Sequence, residues 1–450
     1  MSMALIVLAA GKGTRMKSDS PKVLHRIAQA PMLWHALRAG QALEPARTVV
    51  VAGHGAEAVE ASALDYDPEI RVVIQSEQLG TGHAVRQAEP ALQGFEGDAI
   101  VLYGDTPFLS EETLAAMQAA RQTHDVVVLG FEAADPGRYG RLKMAGDQLD
   151  AIVEFKDASD EERAITLCNS GVMAMDAGRM MALLAKVSND NAAGEYYLTD
   201  LVGLARAEGL TATAVVCDEA ETMGINSRPE LAAAEQAFQA RARAALLENG
   251  VALPAPETVH LAWDTVIGRD TEIEPNVVFG PGVTVESGAR IRAFSHLEGC
   301  HVSRGAVVGP YARLRPGAEL AEDVHVGNFV EIKNAVLHEG AKANHLTYIG
   351  DAEVGEKTNI GAGTITCNYD GVFKHRSVIG RNAFIGSNTM LVAPVSVGDG
   401  AMTASGSVVT EDVPPGALAV ARARQVNKDG LATKLFRMLR ARKDKEAGKA

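Results

Sequence analysis

Aromatic side chains are only 5% of this 450-residue chain, two of them tryptophan, so its core is built without many bulky rings. Cysteine is scarcer still. Cys168, Cys217, Cys300 and Cys367 lie far apart with no CxxC pair, which argues against a zinc cluster and for a reducing compartment. The apolar start Met3–Ala10 is too short for a membrane span, lacks a basic leader and runs into a glycine loop where a cleavage site would stand. A cytoplasmic, soluble protein without a membrane partner is expected. Positive charge is not in excess either: the net charge of -14 argues against a nucleic-acid partner, which needs a basic face. What the chain does have is length for two or more domains and 47% apolar residues to fill them.

From Ile267 an apolar residue returns at every sixth position: Ile267, Ile273, Phe279, Val285, Ile291 and Leu297, then after one deletion Val302, Val308, Leu314, Leu320, Val326 and Ile332. A period of six fits neither a helix nor a free strand; it fits a strand that turns a corner after each hexad, a parallel β-helix. Each hexad supplies one inward apolar residue, and Gly, Asn and Asp suit the corners. The pattern resembles the left-handed hexapeptide-repeat helix, in which three hexads make a triangular coil. About eight coils at ~4.8 Å would give a prism on the order of 40 Å long. The ladder is expected to break twice into projecting loops, at His338–Tyr348 and Thr366–Gly371. Loops on a solenoid commonly form its binding face.

The first half reads differently. Ala4–Leu8 is a buried strand that runs directly into Gly11-Lys12-Gly13-Thr14-Arg15-Met16, where bare backbone N–H groups can approach phosphates. Further buried strands are expected at Thr48–Val51, Val72–Ile74 and Ala99–Leu102, with helices at Leu33–Leu43 and Gly82–Ala91 between them. That alternation predicts a mainly parallel, Rossmann-like α/β sheet with its ligands at the carboxyl ends of the strands. A strand-end Asp such as Asp105 is suited to Mg²⁺, although most such residues are turn formers or caps.

Leu8 to Lys22 resembles the signature of nucleotide-sugar pyrophosphorylases, which join a sugar 1-phosphate to a nucleoside triphosphate and release pyrophosphate. The resemblance implies that Leu8, Gly11, Gly13, Lys22, Gln75, Gly80, Thr81 and Tyr103 bind UTP, with Arg15 and Lys22 on the triphosphate. It implies that Asp105 and Asn226 hold Mg²⁺, and that Gly140, Glu154, Asn169 and Asn226 meet an amino-sugar phosphate. Asn191–Asp200 also matches the bacterial uridyltransferase pattern, as a loop entering a helix near the sugar, with no chemistry assigned.

Residues 229–250 are Ala-, Glu-, Gln-, Arg- and Leu-rich, with Pro229 near the start and Asn249-Gly250 at the end, the punctuation of a helix about 30 Å long. Four segments are therefore expected: the pyrophosphorylase-like domain over 1–228, a linker helix over 229–250, a β-helix domain over 251–421 and a basic tail over 422–450. The tail carries ten Lys or Arg from Arg422 to Lys449 against Asp429, Asp444 and Glu446, and is expected to be solvated and partly disordered.

Asn344–Asp351 and Asn359–Gly371 extend the resemblance over nearly the whole chain, to the bacterial family of bifunctional N-acetylglucosamine-1-phosphate uridyltransferases and glucosamine-1-phosphate acetyltransferases. This family resemblance implies His345 as the base for acetyl transfer, with Arg315, Lys333, Tyr348 and Asn359 around the sugar phosphate. It implies that Asn368 positions the sugar, that Tyr369 lies near the acetyl oxyanion, and that acetyl-CoA lies along Ala362, Ser387, Ser405 and Arg422. At Ser405 the family pattern has alanine, which puts a side-chain contact there in doubt. The family also implies a homotrimer through the β-helix and two co-substrates, UTP and acetyl-CoA. Two other readings stay open on the sequence: a single-activity pyrophosphorylase with a structural β-helix, and a non-catalytic nucleotide-sugar scaffold.

Overall fold

All seven residues of strand β1 (Met3–Ala9) are buried, because the strand lies inside a sheet packed on both faces. In the computed structural model, which describes residues 2–448, Ile6 points into one apolar layer with Val49, Val101 and Met173. Leu5 and Val7 point into the other with Val50, Ile100 and Leu102. The sheet continues with β2 (Arg47–Ala52), β3 (Arg71–Ile74), β4 (Asp98–Tyr103), β5 (Val126–Glu132), β6 (Arg141–Ala145), β7 (Gln148–Val153), β8 (Leu167–Asp176) and β9 (Ala212–Cys217). Its main order is β9-β5-β8-β4-β1-β2-β3, with the β6–β7 hairpin attached to β8. Strand β8 alone in that row is antiparallel to both neighbours.

Helices cover the sheet at Met32–Gln41, Ala56–Tyr66, Glu111–Ala120, Ala177–Leu184 and Asp200–Ala207. The helix expected over Gly82–Ala91 is shorter, Thr81–Arg86, and gives way to a 3-10 turn at Glu89–Leu92. Pro90 has no N–H for a continuing helix. The long helix Arg228–Glu248 buries Ala234 and Gln239. Its Leu231, Ala237 and Phe238 pack with Ile27, Met32, Phe108 and Ile225.

The chain forms two compact units: one runs to Ala245 and includes Leu261–Trp263, and the other takes Leu246–His260 and everything from Asp264 on. The second unit is a parallel β-helix. Short strands before the excursion pair with one 17 or 18 residues later, as in Val266 with Thr284 and Thr284 with His301, so three hexads close one coil. All twelve ladder residues from Ile267 to Ile332 are buried. Corners at Asp270, Asn276, Asp323, Asn334, Asn382 and Asn388 have positive φ, the conformation that Asp and Asn tolerate best after glycine.

The first expected interruption is no loop. Strands His325–Leu337 and Lys342–Val354 pair along their length, and Leu337, Ala343 and Ile349 keep the inward positions. Lys342 and His345 in this stretch are exposed, and such polar letters hide the ladder. The second interruption is a real excursion. Thr366, not Ile365, takes the inward position; its hydroxyl donates to Gly350 O at 3.1 Å and accepts from Gly350 N at 2.8 Å. Residues 368–376 then leave the coil as a small hairpin, with Tyr369 bridged to Lys374 and Phe373 exposed.

The tail is helical rather than partly disordered over Leu431–Glu446, with no buried residue. Among the described residues no helix is long and apolar enough to cross a membrane.

Candidate active sites

Strand β1 ends at Ala9, and the loop after it returns through a 3-10 turn, Thr14–Met16, to Lys22. Gly13 has φ +58°, and a Cβ there would stand 2.6 Å from Lys22 Cβ. Only glycine lets the loop close against that lysine. Lys22 Nζ forms an ion pair with the Asp105 carboxylate and donates to Asn226 Oδ1 at 3.1 Å. Two oxygen donors from distant parts of the chain thus converge on one positive centre.

Beside this centre opens a cavity of about 310 Å³, lined by Leu8, Gly11, Lys22, Gln75, Gly80, Thr81, Tyr103 and Asp105 among others. The carboxyl ends of β1 and β4 therefore bring most of the expected nucleotide residues together. Gln75 is buried and donates to Gly80 O at 3.1 Å, holding the turn that starts the helix at Thr81. Gly13 stands behind Lys22, outside the lining, and Arg15 is exposed on the 3-10 turn. The Tyr103 hydroxyl is held neutral: burial pushes its pKa up, and the Asp105 and Glu154 carboxylates add to the shift.

The expected sugar residues form a second group. Asn169 N donates to Gly140 O at 2.8 Å, and Glu154 Oε1 accepts from Thr199 Oγ1 at 3.1 Å. Burial raises the Glu154 pKa, against the Thr199 hydrogen bond, and Asp157, Asp200 and Glu195 add to the rise. Asn226, expected with these three, accepts from Lys22 Nζ.

In the β-helix, His345 stands one residue before the positive-φ corner at Leu346. The backbone continues as a column at that corner: Gly363 N donates to His345 O at 3.3 Å, Asn388 N to Ala362 O at 2.7 Å and Gly406 N to Ser387 O at 2.8 Å. Ala362, Ser387 and Ser405 thus stack in line with His345. The Arg422 side chain lies beside Gly406. One coil back from His345, Asn328 Oδ1 is 2.9 Å from His345 Nδ1.

Past the same corner lie the residues expected to meet the sugar phosphate. Arg315 and Lys333 sit on consecutive coils. Arg315 is paired with Glu331 at 2.8 Å, and Lys333 Nζ is 4.0 Å from Asp351. Asp351 accepts hydrogen bonds from Asn334 at 2.6 Å and from Asn368. Asn368 also lies 3.4 Å from the Tyr348 hydroxyl. Burial works to raise the Asp351 pKa, yet the Asn334 and Asn368 hydrogen bonds with the Lys333 and Lys374 charges hold it below the usual aspartate value. Asn359 is not brought to this group. It pairs with Lys342 and precedes the Gly363 corner, so it lies on the preceding face of the prism. Tyr369 is exposed and donates to Gly371 O at 2.6 Å.

A MobA-like NTP transferase domain model matches residues 5–170, and a bacterial transferase hexapeptide model (six repeats) matches residues 264–299 and 376–411. A bifunctional protein GlmU of Ruegeria sp. (strain TM1040) is 73% identical over 447 residues, 99% of this chain and 100% of that protein. Bifunctional protein GlmU of Ruegeria pomeroyi is 72% identical over 443 residues, 98% of each chain. That of Jannaschia sp. (strain CCS1) is 68% identical over 442 residues, 98% and 97%. This chain belongs to the bifunctional GlmU family. It is a transferase with two activities, uridylyl transfer and acetyl transfer, and its co-substrates are UTP and acetyl-CoA. Its β-helix is the left-handed parallel form built on hexapeptide repeats.

The GlmU-family resemblance does not give a role to every residue that the geometry brings into play. Gln78 and Glu195 line the nucleotide cavity, Thr199 holds Glu154, and Asn328, Glu331, Asn334 and Asp351 hold the acetyltransferase group. Glu195 and Thr199 sit in the Asn191–Asp200 motif and Asp351 closes the Asn344–Asp351 motif, but the resemblance gives none of the three a role. Asn328 and Asn334 each stand 17 residues from their partners, a spacing that carries meaning only once the coil length is known.

Proposed function

We propose that the two groups are two active sites, one per unit, that together make UDP-N-acetylglucosamine. The observation that carries this reading is the grouping itself: the phosphate-binding set gathers around Lys22 and Asp105 in the first unit, and the His345 column and Lys333 cluster gather in the second.

In the first unit, an oxygen of N-acetylglucosamine 1-phosphate attacks the α-phosphorus of UTP, and the bond to the β-phosphate breaks to release pyrophosphate. The attacking oxygen is already anionic, so alignment and charge neutralisation, rather than a strong base, are required. Lys22 and Arg15 neutralise the triphosphate, while Gly11 and the neighbouring backbone N–H groups approach it. Gln75, Gly80 and Thr81 take the uracil; Gly140, Glu154 and Asn169 take the sugar. The Asp105 carboxylate and the Asn226 amide oxygen fit Mg²⁺, because both are hard oxygen donors already turned toward one cation, Lys22 Nζ. When bound there, Mg²⁺ would neutralise phosphate charge as a Lewis acid.

In the second unit, the glucosamine 1-phosphate nitrogen attacks the thioester carbon of acetyl-CoA. His345 takes the amine proton and then gives it to the departing thiolate as the C–S bond breaks. Arg315 and Lys333 hold the phosphate, Tyr348 and Asn368 the sugar, and a backbone N–H near Tyr369 the oxyanion. Acetyl-CoA runs along Ala362, Ser387 and Ser405 with Arg422 on its phosphates. A backbone contact with acetyl-CoA at Ser405 would tolerate the serine.

Two observations support a homotrimer through the prism. Asn359 lies on a different face from the residues it is expected to join, so a neighbouring copy would supply it. Phe294, Tyr311, Phe329 and Leu346 also stand exposed one above another at a single corner, an apolar strip suited to burial. The sparse unpaired cysteines favour the cytoplasm.

Purified protein given Mg²⁺, UTP, acetyl-CoA and glucosamine 1-phosphate should release both free thiol and pyrophosphate. With N-acetylglucosamine 1-phosphate and UTP alone it should release pyrophosphate only. Pyrophosphate without thiol in the first mixture would reduce the β-helix to a structural module.

A further inference from the structure

His345 works as a base only if the nitrogen facing the amine carries a lone pair, and a neutral imidazole has one lone pair and one N–H. Which nitrogen holds the proton is set by the partner of the other. The partner of His345 Nδ1 is Asn328 Oδ1, at 2.9 Å. Asn328 is paired in register with His345 on the coil before it, so the contact is built from two strands of the rigid prism. Nε2 has no hydrogen-bond partner among the described residues. Arg292 and His325 are the charged or titratable groups that share with Asn328 and His345 a surface depression of about 270 Å³. Arg292 is turned to Glu274, 3.5 Å away.

We propose that Asn328 is a positioning residue for acetyl transfer. Its side-chain carbonyl accepts the Nδ1–H of His345, which fixes the tautomer and leaves the Nε2 lone pair to receive the amine proton. The amide oriented the other way would donate to Nδ1 and force the proton onto Nε2, where it blocks catalysis. The asparagine is suited to this task because it is neutral: a carboxylate in its place would favour the imidazolium and disarm the base at lower pH. This inference rests on the reading of His345 as the base.

The test is the pH dependence of acetyl transfer by the full-length protein carrying Asn328→Ala, Asn328→Asp or His345→Ala, with uridylyl transfer by the same samples as the control for folding. Asn328→Ala should lower kcat on the order of 10-fold while KM for both acetyl-transfer substrates stays within about 2-fold, since the loss is in proton transfer. Asn328→Asp should move the acid limb of the kcat profile up by about one pH unit. Uridylyl transfer should be unchanged in both. The inference is overturned if both Asn328 variants keep the wild-type acid limb, or if the loss lies in KM for acetyl-CoA alone. Acetyl transfer that survives His345→Ala would overturn the reading beneath it; loss in His345→Ala with silent Asn328 variants would overturn the positioning role only.

Discussion

Glu154 and Asp351 are both poorly exposed carboxyls, yet their surroundings push them in opposite directions, and each direction gives a measurable consequence. At Glu154 burial dominates and the pKa is raised, so this group takes up a proton at a higher pH than an exposed glutamate. As the pH falls, KM for the sugar phosphate in uridylyl transfer should begin to climb before an ordinary glutamate titrates. Glu154→Gln should raise KM about 10-fold and remove that part of its pH dependence; initial rates from about pH 5 to 8 would decide. At Asp351 the folded pKa is lowered. The folded chain then binds this proton less readily than the unfolded chain, so the stabilisation is complete above the ordinary aspartate pKa and is lost as pH falls through the folded value. Asp351→Asn should cost about 1–3 kcal/mol near neutral pH. The difference from wild type should shrink below about pH 4, as read by unfolding followed at several pH values.

Among the elements, the coil is the one whose sequence is most transparent. Twelve inward positions are legible from period alone, because a prism with one inward residue per hexad leaves no freedom in where the apolar letters fall. Legibility fails where an inward residue is polar: Thr366 and Thr403 are buried, yet read as surface until their hydroxyl partners at Gly350 and Gly386 are known. It fails also at the corners. Phe294, Tyr311 and Phe329 have positive φ against the usual preference, and what offsets that cost is their mutual stacking at 4.9 and 5.3 Å. Local propensity cannot foresee a contact between residues one coil apart. The same holds for the site: motifs pick out Lys22, Asp105 and His345, whereas Asn328 and Asn334 gain meaning only from register. Leu391 is fully buried in the ladder, so Leu391→Ala should cost about 2–5 kcal/mol and lower the unfolding midpoint of the β-helix. A change below about 0.5 kcal/mol would mean that the coil relaxes around the gap.

At the scale of the whole molecule, two chemistries share one chain, and the proposed trimer makes only one of them depend on association. If neighbouring copies complete the acetyltransferase site, dilution below the trimer dissociation range should depress acetyl transfer per chain while uridylyl transfer holds steady. Activity and sedimentation measured over the same concentration series would test this.

Two independent active sites on one chain can be told from one by measuring thiol and pyrophosphate release for His345→Ala and Lys22→Ala side by side, each partial reaction with its own substrates. Reciprocal losses of about 10²-fold or more are expected: thiol release lost and pyrophosphate release intact in the first, and the reverse in the second. Loss of both signals in either well-folded variant, or thiol release undiminished in His345→Ala, would contradict two independent sites.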